Sequence, residues 1–164
     1  MTNLEKLKQN LNALLWQFEA LLALEKEKAE VLTAGDLARL DKIINNEQAF
    51  LMDLERLEKE QSQILSKHFS GLTISQIIAY HVKDGDDKTD FQLLLDRISE
   101  TVKHIQKLTK VNQTLIKHNL EMINIITERI GLSKDESGQI LDVLAKNQKS
   151  KDTAESSFLL NKKI

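Results

Sequence analysis

Proline and cysteine are absent from this chain, and glycine occurs five times in 164 residues. Proline breaks helix interiors, and both proline and glycine punctuate turns. A chain so poor in both has few turns, so its elements must be long. The lack of cysteine excludes disulfides, thiolate catalysis and zinc sites built on cysteine. Aromatic residues make up 4%, too few for a packed β-sandwich or a surface that stacks nucleotides. Neither sign of charge dominates: the formal net charge is −2 and the pI is near 6.1. A nucleic-acid binder usually carries a basic stripe, so no nucleic-acid partner is expected. No run approaches the ~18 apolar residues of a spanning helix, so no membrane insertion is expected. Met1 to Asn10 has no apolar run flanked by basic residues and does not read as a signal peptide. A cytoplasmic location fits these absences.

What is present is helix-forming. Leu, Lys, Glu, Gln, Ala and Ile dominate, and most of these are good helix formers. Thr2 and Glu5 have the spacing of a capping box that opens a first helix. Leu4, Leu7, Leu11, Leu14, Phe18 and Leu21 then alternate at three and four residues, and Leu15 and Leu22 widen the stripe. That is the seam of a packed helix. The seam weakens at Glu25-Lys26-Glu27-Lys28, a charged patch that reads as solvent-facing. Gly35 supplies a stop and Asp36 an N-cap. The pair predicts a hairpin, with one helix kinked at Gly35 as the alternative. A second helix is expected from Leu37 to His68, and each arm spans roughly 45–50 Å.

Thr73-Ile74-Ser75-Gln76 is a second capping box. It opens a short helix through His81 whose Ile74, Ile77 and Ile78, with Tyr80 at the edge, are expected to cap the open end of the hairpin. Thr89 or Asp90 is expected to cap a third long helix reaching Ile130. Its apolar face is wide. One seam holds Phe91, Ile98, Ile105, Asn112, Asn119 and Ile126; another holds Leu94, Thr101, Leu108, Leu115 and Met122; Leu95, Val102, Ile116, Ile123 and Ile130 flank them. A two-stranded coil needs only a narrow seam, so this helix is expected to pack on both earlier arms. The fold class predicted is therefore all-α: an elongated antiparallel bundle of three long helices plus one short helix, with a mobile C-terminal tail. Residues 1–130 form the bundle domain. Residues 131–164 are polar, with apolar islands at Ile140, Leu141, Val143 and Leu144 and at Phe158-Leu159-Leu160. Such a tail often stays mobile and orders on a partner.

No catalytic constellation is legible, and no cofactor or metal is expected. His68, His81, His104 and His118 lack ligand spacing; His104 and His118 lie about 21 Å apart along one helix. No Glu-x-x-His of a di-iron bundle occurs. There is neither a nucleophile–base pair nor a glycine-rich phosphate loop. Asn112 and Asn119 sit one heptad apart in the seam. They either set helix register or offer hydrogen bonds to a partner helix. The island at Ile140–Leu144 either docks on the bundle or binds a partner.

The stretch from Leu21 through Gly35-Asp36-Leu37-Ala38-Arg39-Leu40, followed by a long helix carrying Leu54-Glu55-Arg56-Leu57-Glu58, resembles the FlgN-type flagellar type III export chaperones. Gly71-Leu72-Thr73-Ile74 resembles the segment that opens a short helix in that family. Asn112-Gln113-Thr114-Leu115-Ile116 is similar to the family's asparagine–leucine–leucine helix. The resemblance covers most of residues 1–130. It implies a cytosolic chaperone that is no enzyme. Such a chaperone binds flagellar hook-associated (hook–filament junction) proteins before export and shields their helical termini. It also implies client contacts near the C-terminal end, here Asn112, Asn119, Met122, Ile123, Ile126, Ile140, Leu141, Val143 and Leu144. Members often carry a tail tyrosine that contacts the export gate. The one tyrosine here is Tyr80, which leaves Phe158 as the tail aromatic for that contact. Two other classes share the heptads: a structural coiled-coil or adaptor protein, and a histidine phosphotransfer bundle, for which His118 beside Lys117 is the candidate.

Overall fold

The computed structural model describes residues 1–130 and the single residue Asp142. Its helices are α1 (Asn3–Ala34), α2 (Leu37–His68), α3 (Ile74–His81) and α4 (Asp86–Ile130), and no strand occurs among the described residues. The bundle of three long helices and one short helix is the all-α architecture expected from the heptads.

Both capping boxes form. Thr2 and Glu5 bond reciprocally at the start of α1, and Thr73 and Gln76 do so at the start of α3. Gly35 ends α1 with φ +70°, and its N–H donates to the Val31 carbonyl. Asp36 then accepts from the Arg39 N–H and opens α2. The break is a hairpin and not a kink. Asn10 of α1 reaches the Leu57 carbonyl of α2 while Lys28 reaches Glu47, so the partner numbers run in opposite directions. At the far end of α2, Ser70 and Gly71 both take positive φ. The Gly71 N–H bonds back to the Leu65 carbonyl and turns the chain into α3.

α4 begins at Asp86, three to four residues before the expected cap at Thr89 or Asp90. The Thr89 N–H and hydroxyl both bond the Gly85 carbonyl, and Lys88 pairs with Asp84 at 2.7 Å. The sequence reads Lys83 to Thr89 as a charged turn; those contacts draw its residues from Asp86 onward into the first helical turn. α4 then runs parallel to α1. Asn112 meets Glu25 and Asn119 meets Leu32, a separation of 87 positions in both cases. By that register Ala34 lies level with residue 121, since 34 plus 87 is 121. The last nine residues of α4 therefore project past the hairpin tip by about 14 Å.

The core has two parts, and all three long helices contribute to each. Leu7, Leu11, Leu14, Phe18 and Leu21 meet Leu51, Leu54, Leu57, Phe91, Leu94, Ile98 and Ile105 in the proximal cluster. Ile74, Ile77 and Ile78 of α3 complete it over the open end of the hairpin. Tyr80 does not join them: it is 76% exposed, on the solvent side of α3. The distal cluster is smaller. Leu24, Val31 and Leu32 pack with Leu40, Ile43, Ile44 and Ile116.

Candidate functional site

Between the two core clusters lies a buried polar knot. Lys28 donates to Glu25 at 2.8 Å and to both carboxylate oxygens of Glu47 at 2.8 and 2.9 Å. The Asn112 amide of α4 donates to the Glu25 carboxylate at 2.6 Å and to its backbone carbonyl at 3.0 Å. All four residues are buried. The charged run thus divides: Lys26 and Glu27 are exposed, while Glu25 and Lys28 point inward. The solvent-facing expectation fails for those two because they continue the seam, at four and seven residues past Leu21.

Burial by itself raises the Glu25 carboxyl, but Lys28 and the hydrogen bonds from Glu47, Lys28 and Asn112 outweigh it and hold Glu25 below its usual value. Burial pushes Glu47 up to about 7; Lys28 opposes this, and the neighbouring Glu25 carboxyl adds to it. Two carboxyls facing one ammonium away from water cannot both ionise cheaply. The knot holds no nucleophile. Its chemistry is that of a helix-registering device.

An apolar concave surface lies at the distal end. A groove of about 210 Å³ is lined by Val31, Leu32, Gly35, Asp36, Leu37, Leu40, Asn119, Met122 and Ile123. The α1–α2 turn forms one wall and the start of the α4 projection the other. Met122 and Ile125 are 44% and 43% exposed. Ile123 and Ile126 are half-buried. Asn119 spends its amide N–H on the Leu32 carbonyl at 3.1 Å, which pins α4 to the end of α1 beside the groove. Exposed apolar surface rimmed by polar residues is the kind of surface at which proteins meet partners.

Of the residues expected to contact a client, Asn119, Met122 and Ile123 line this groove and Ile126 follows on the same projection. Asn112 stands apart, 1% exposed and bonded within the knot. Ile140, Leu141, Val143, Leu144 and Phe158 lie outside the described residues. The wall contributed by Val31, Leu32, Leu37 and Leu40 carried no sequence signal of its own, because nothing local shows which residue of α4 comes level with the turn. His68, His81, His104 and His118 are all exposed, and His81 makes an edge-on contact with Phe69. No group of three metal-ligating residues occurs among the described residues. No helix among them is long and apolar enough to cross a membrane.

The sequence profile of one family, described as "FlgN protein", matches residues 1–149. The chain is also similar to "Uncharacterized protein YvyG" of Bacillus subtilis (strain 168). The two are 28% identical over 110 residues, which make up 65% of this chain and 68% of that protein. No solved structure matches.

Proposed function

We propose, from the premise that this chain belongs to the FlgN family of flagellar export chaperones, that it binds the helical terminus of a hook–filament junction protein in the cytoplasm before type III export. The observation that carries the reading is the distal groove. It is mostly apolar, open, and built where the α1–α2 turn and the adjoining residues of α1, α2 and α4 leave a gap. Helix-in-groove recognition needs such a surface and a client with apolar anchors at i, i+3, i+4 and i+7. Met122, Ile123 and Ile126 supply the contact on α4, and Asn119 fixes its position against α1. The island Ile140, Leu141, Val143 and Leu144 adds apolar contact from the chain beyond α4, and Phe158 is the residue assigned to the export gate. The chemistry required is shielding, with no bond made or broken.

Calorimetric titration of the chain against purified junction subunits tests the reading. Binding with a negative heat-capacity change is expected, since apolar surface is buried. The pair Met122→Asp and Ile126→Asp is expected to weaken it by about tenfold or more, roughly 1.4 kcal/mol. No binding at high micromolar concentration refutes the assignment for those clients.

A further inference from the structure

A second surface lies along the middle of α4, on the side turned away from the core. Lys103, Lys107, Lys110 and Lys117 are exposed there, with His104 and Thr114 between them and His118 next to Lys117. No acidic residue occurs between Glu100 and Glu121. The four lysines form no ion pair among the described residues, whereas Lys8, Arg39, Arg56, Lys88 and Arg97 each hold a carboxylate. Their spacings of three, four and seven put them on one face, a stripe about 21 Å long. Like charges at i,i+3 and i,i+4 oppose each other in the free helix. Along one edge of the stripe run Val111, 50% exposed, and the half-buried Leu108 and Leu115.

We infer that this face docks an acidic amphipathic helix of a partner protein, at a site separate from the distal groove. Carboxylates repeated at helical spacing would meet the four ammonium groups and relieve their mutual repulsion. An apolar edge on the same helix would cover Val111 between Leu108 and Leu115. Charge selects the occupant. Residues 131–164 carry six lysines against five acidic residues, so this chain's own C-terminal segment does not complement the stripe. Without the four lysines the formal net charge of −2 becomes −6, so the rest of the surface repels an extended polyanion such as a nucleic acid. A short acidic helix confined to the stripe escapes that repulsion.

The test uses the full chain and three labelled probes in fluorescence anisotropy. One is a synthetic peptide of about 18 residues with glutamates at i, i+4, i+7 and i+11 and leucines along one edge. The second is a scrambled peptide of the same composition. The third is a single-stranded oligonucleotide of about 20 nucleotides. The helical peptide is expected to bind about tenfold or more tighter than either control, and to weaken with salt as exposed charges are screened. The quadruple change of Lys103, Lys107, Lys110 and Lys117 to Glu is expected to lower that affinity by about tenfold or more, and the same four changed to Arg to retain it. If the reversal variant fails to fold by circular dichroism, the four-fold Lys→Gln variant takes its place with the same expectation. Equal binding of the scrambled peptide, equal or tighter binding of the oligonucleotide, or indifference to charge removal overturns the inference.

Discussion

Lys28 is the side chain on which the middle of the bundle depends. An ammonium and two carboxylates taken out of water lose several kcal/mol of hydration each, and they recover it only through mutual contact. Lys28→Met removes the cation and leaves Glu25 and Glu47 facing each other. Its expected cost is ~3–5 kcal/mol in urea unfolding. Replacing the whole knot (Glu25→Leu, Lys28→Met, Glu47→Leu and Asn112→Leu) is expected to be neutral or stabilising by ~1–4 kcal/mol. A large loss from the fourfold change would mean that the charges stabilise the fold outright. The same group sets a pH dependence. Glu47 rises from 4.5 to about 7 on folding, so the folded chain holds a proton that the unfolded chain releases. The stability it contributes is full below 4.5 and is lost as pH climbs through about 7, by ~3 kcal/mol at most. Glu25 is lowered, so its contribution runs the other way and is lost as pH falls below 4.5. Unfolding free energy is therefore expected to decline between pH 5 and 8. Glu47→Gln, which cannot titrate, is expected to flatten that decline. An equal slope in both proteins would place the proton elsewhere.

At the level of the helices, spacing alone made α1, α2 and α3 legible. Leucines at three and four residues require a 3.6-residue period, and Thr2, Asp36 and Thr73 are capping residues whose partners sit where the caps need them. The start of α4 was not legible in the same way, because Asp84-Gly85-Asp86-Asp87 looks like a turn until the Lys88–Asp84 pair and the Gly85 carbonyl are in place. The sequence reads Glu25 and Lys28 as solvent-facing, and it does not single out Glu47, for a related reason. They hold seam positions, but apolarity marks a seam only when no partner charge arrives from another helix, and that arrival depends on the 87-residue offset of α4 and the pairing of α2. The groove was half legible. Met122 and Ile123 follow from the helix pattern, while Val31, Leu32, Leu37 and Leu40 are placed opposite them by the tertiary register. The hairpin turn that forms their wall rests on Gly35, whose φ of +70° a Cβ disfavours even though nothing lies within 4 Å of where it would go. Gly35→Ala is expected to cost ~1–2 kcal/mol from backbone strain alone, and Gly35→Asn less, since asparagine tolerates that region. Thermal denaturation ranks the three. An alanine variant as stable as the parent would mean that the turn shifts to another conformation.

Across the whole molecule the apolar core thins toward the distal end, where the projection of α4 and the open groove lie together. Under the proposed function, the proximal cluster holds the fold and the distal end is the surface open to a client. The proposed function extends that surface beyond Ile130 to the island Ile140, Leu141, Val143 and Leu144, whose spacing of one, three and four places four aliphatics on one face of a helix. A lone helix of this length is marginal in water, so its apolar face gains only by meeting another surface. Burying four aliphatic side chains is worth roughly 1.5–3 kcal/mol each. Ordering about ten residues, at ~1 kcal/mol apiece, takes back most of that. The net contribution to client affinity is then about ten- to a hundredfold, or ~1.4–2.8 kcal/mol. Leu141→Asp combined with Leu144→Asp is expected to weaken binding of a junction subunit by that factor while leaving the thermal midpoint of the free chain almost unchanged. A sharp fall in the midpoint with unchanged affinity would make the island part of the folded bundle and remove it from the client surface.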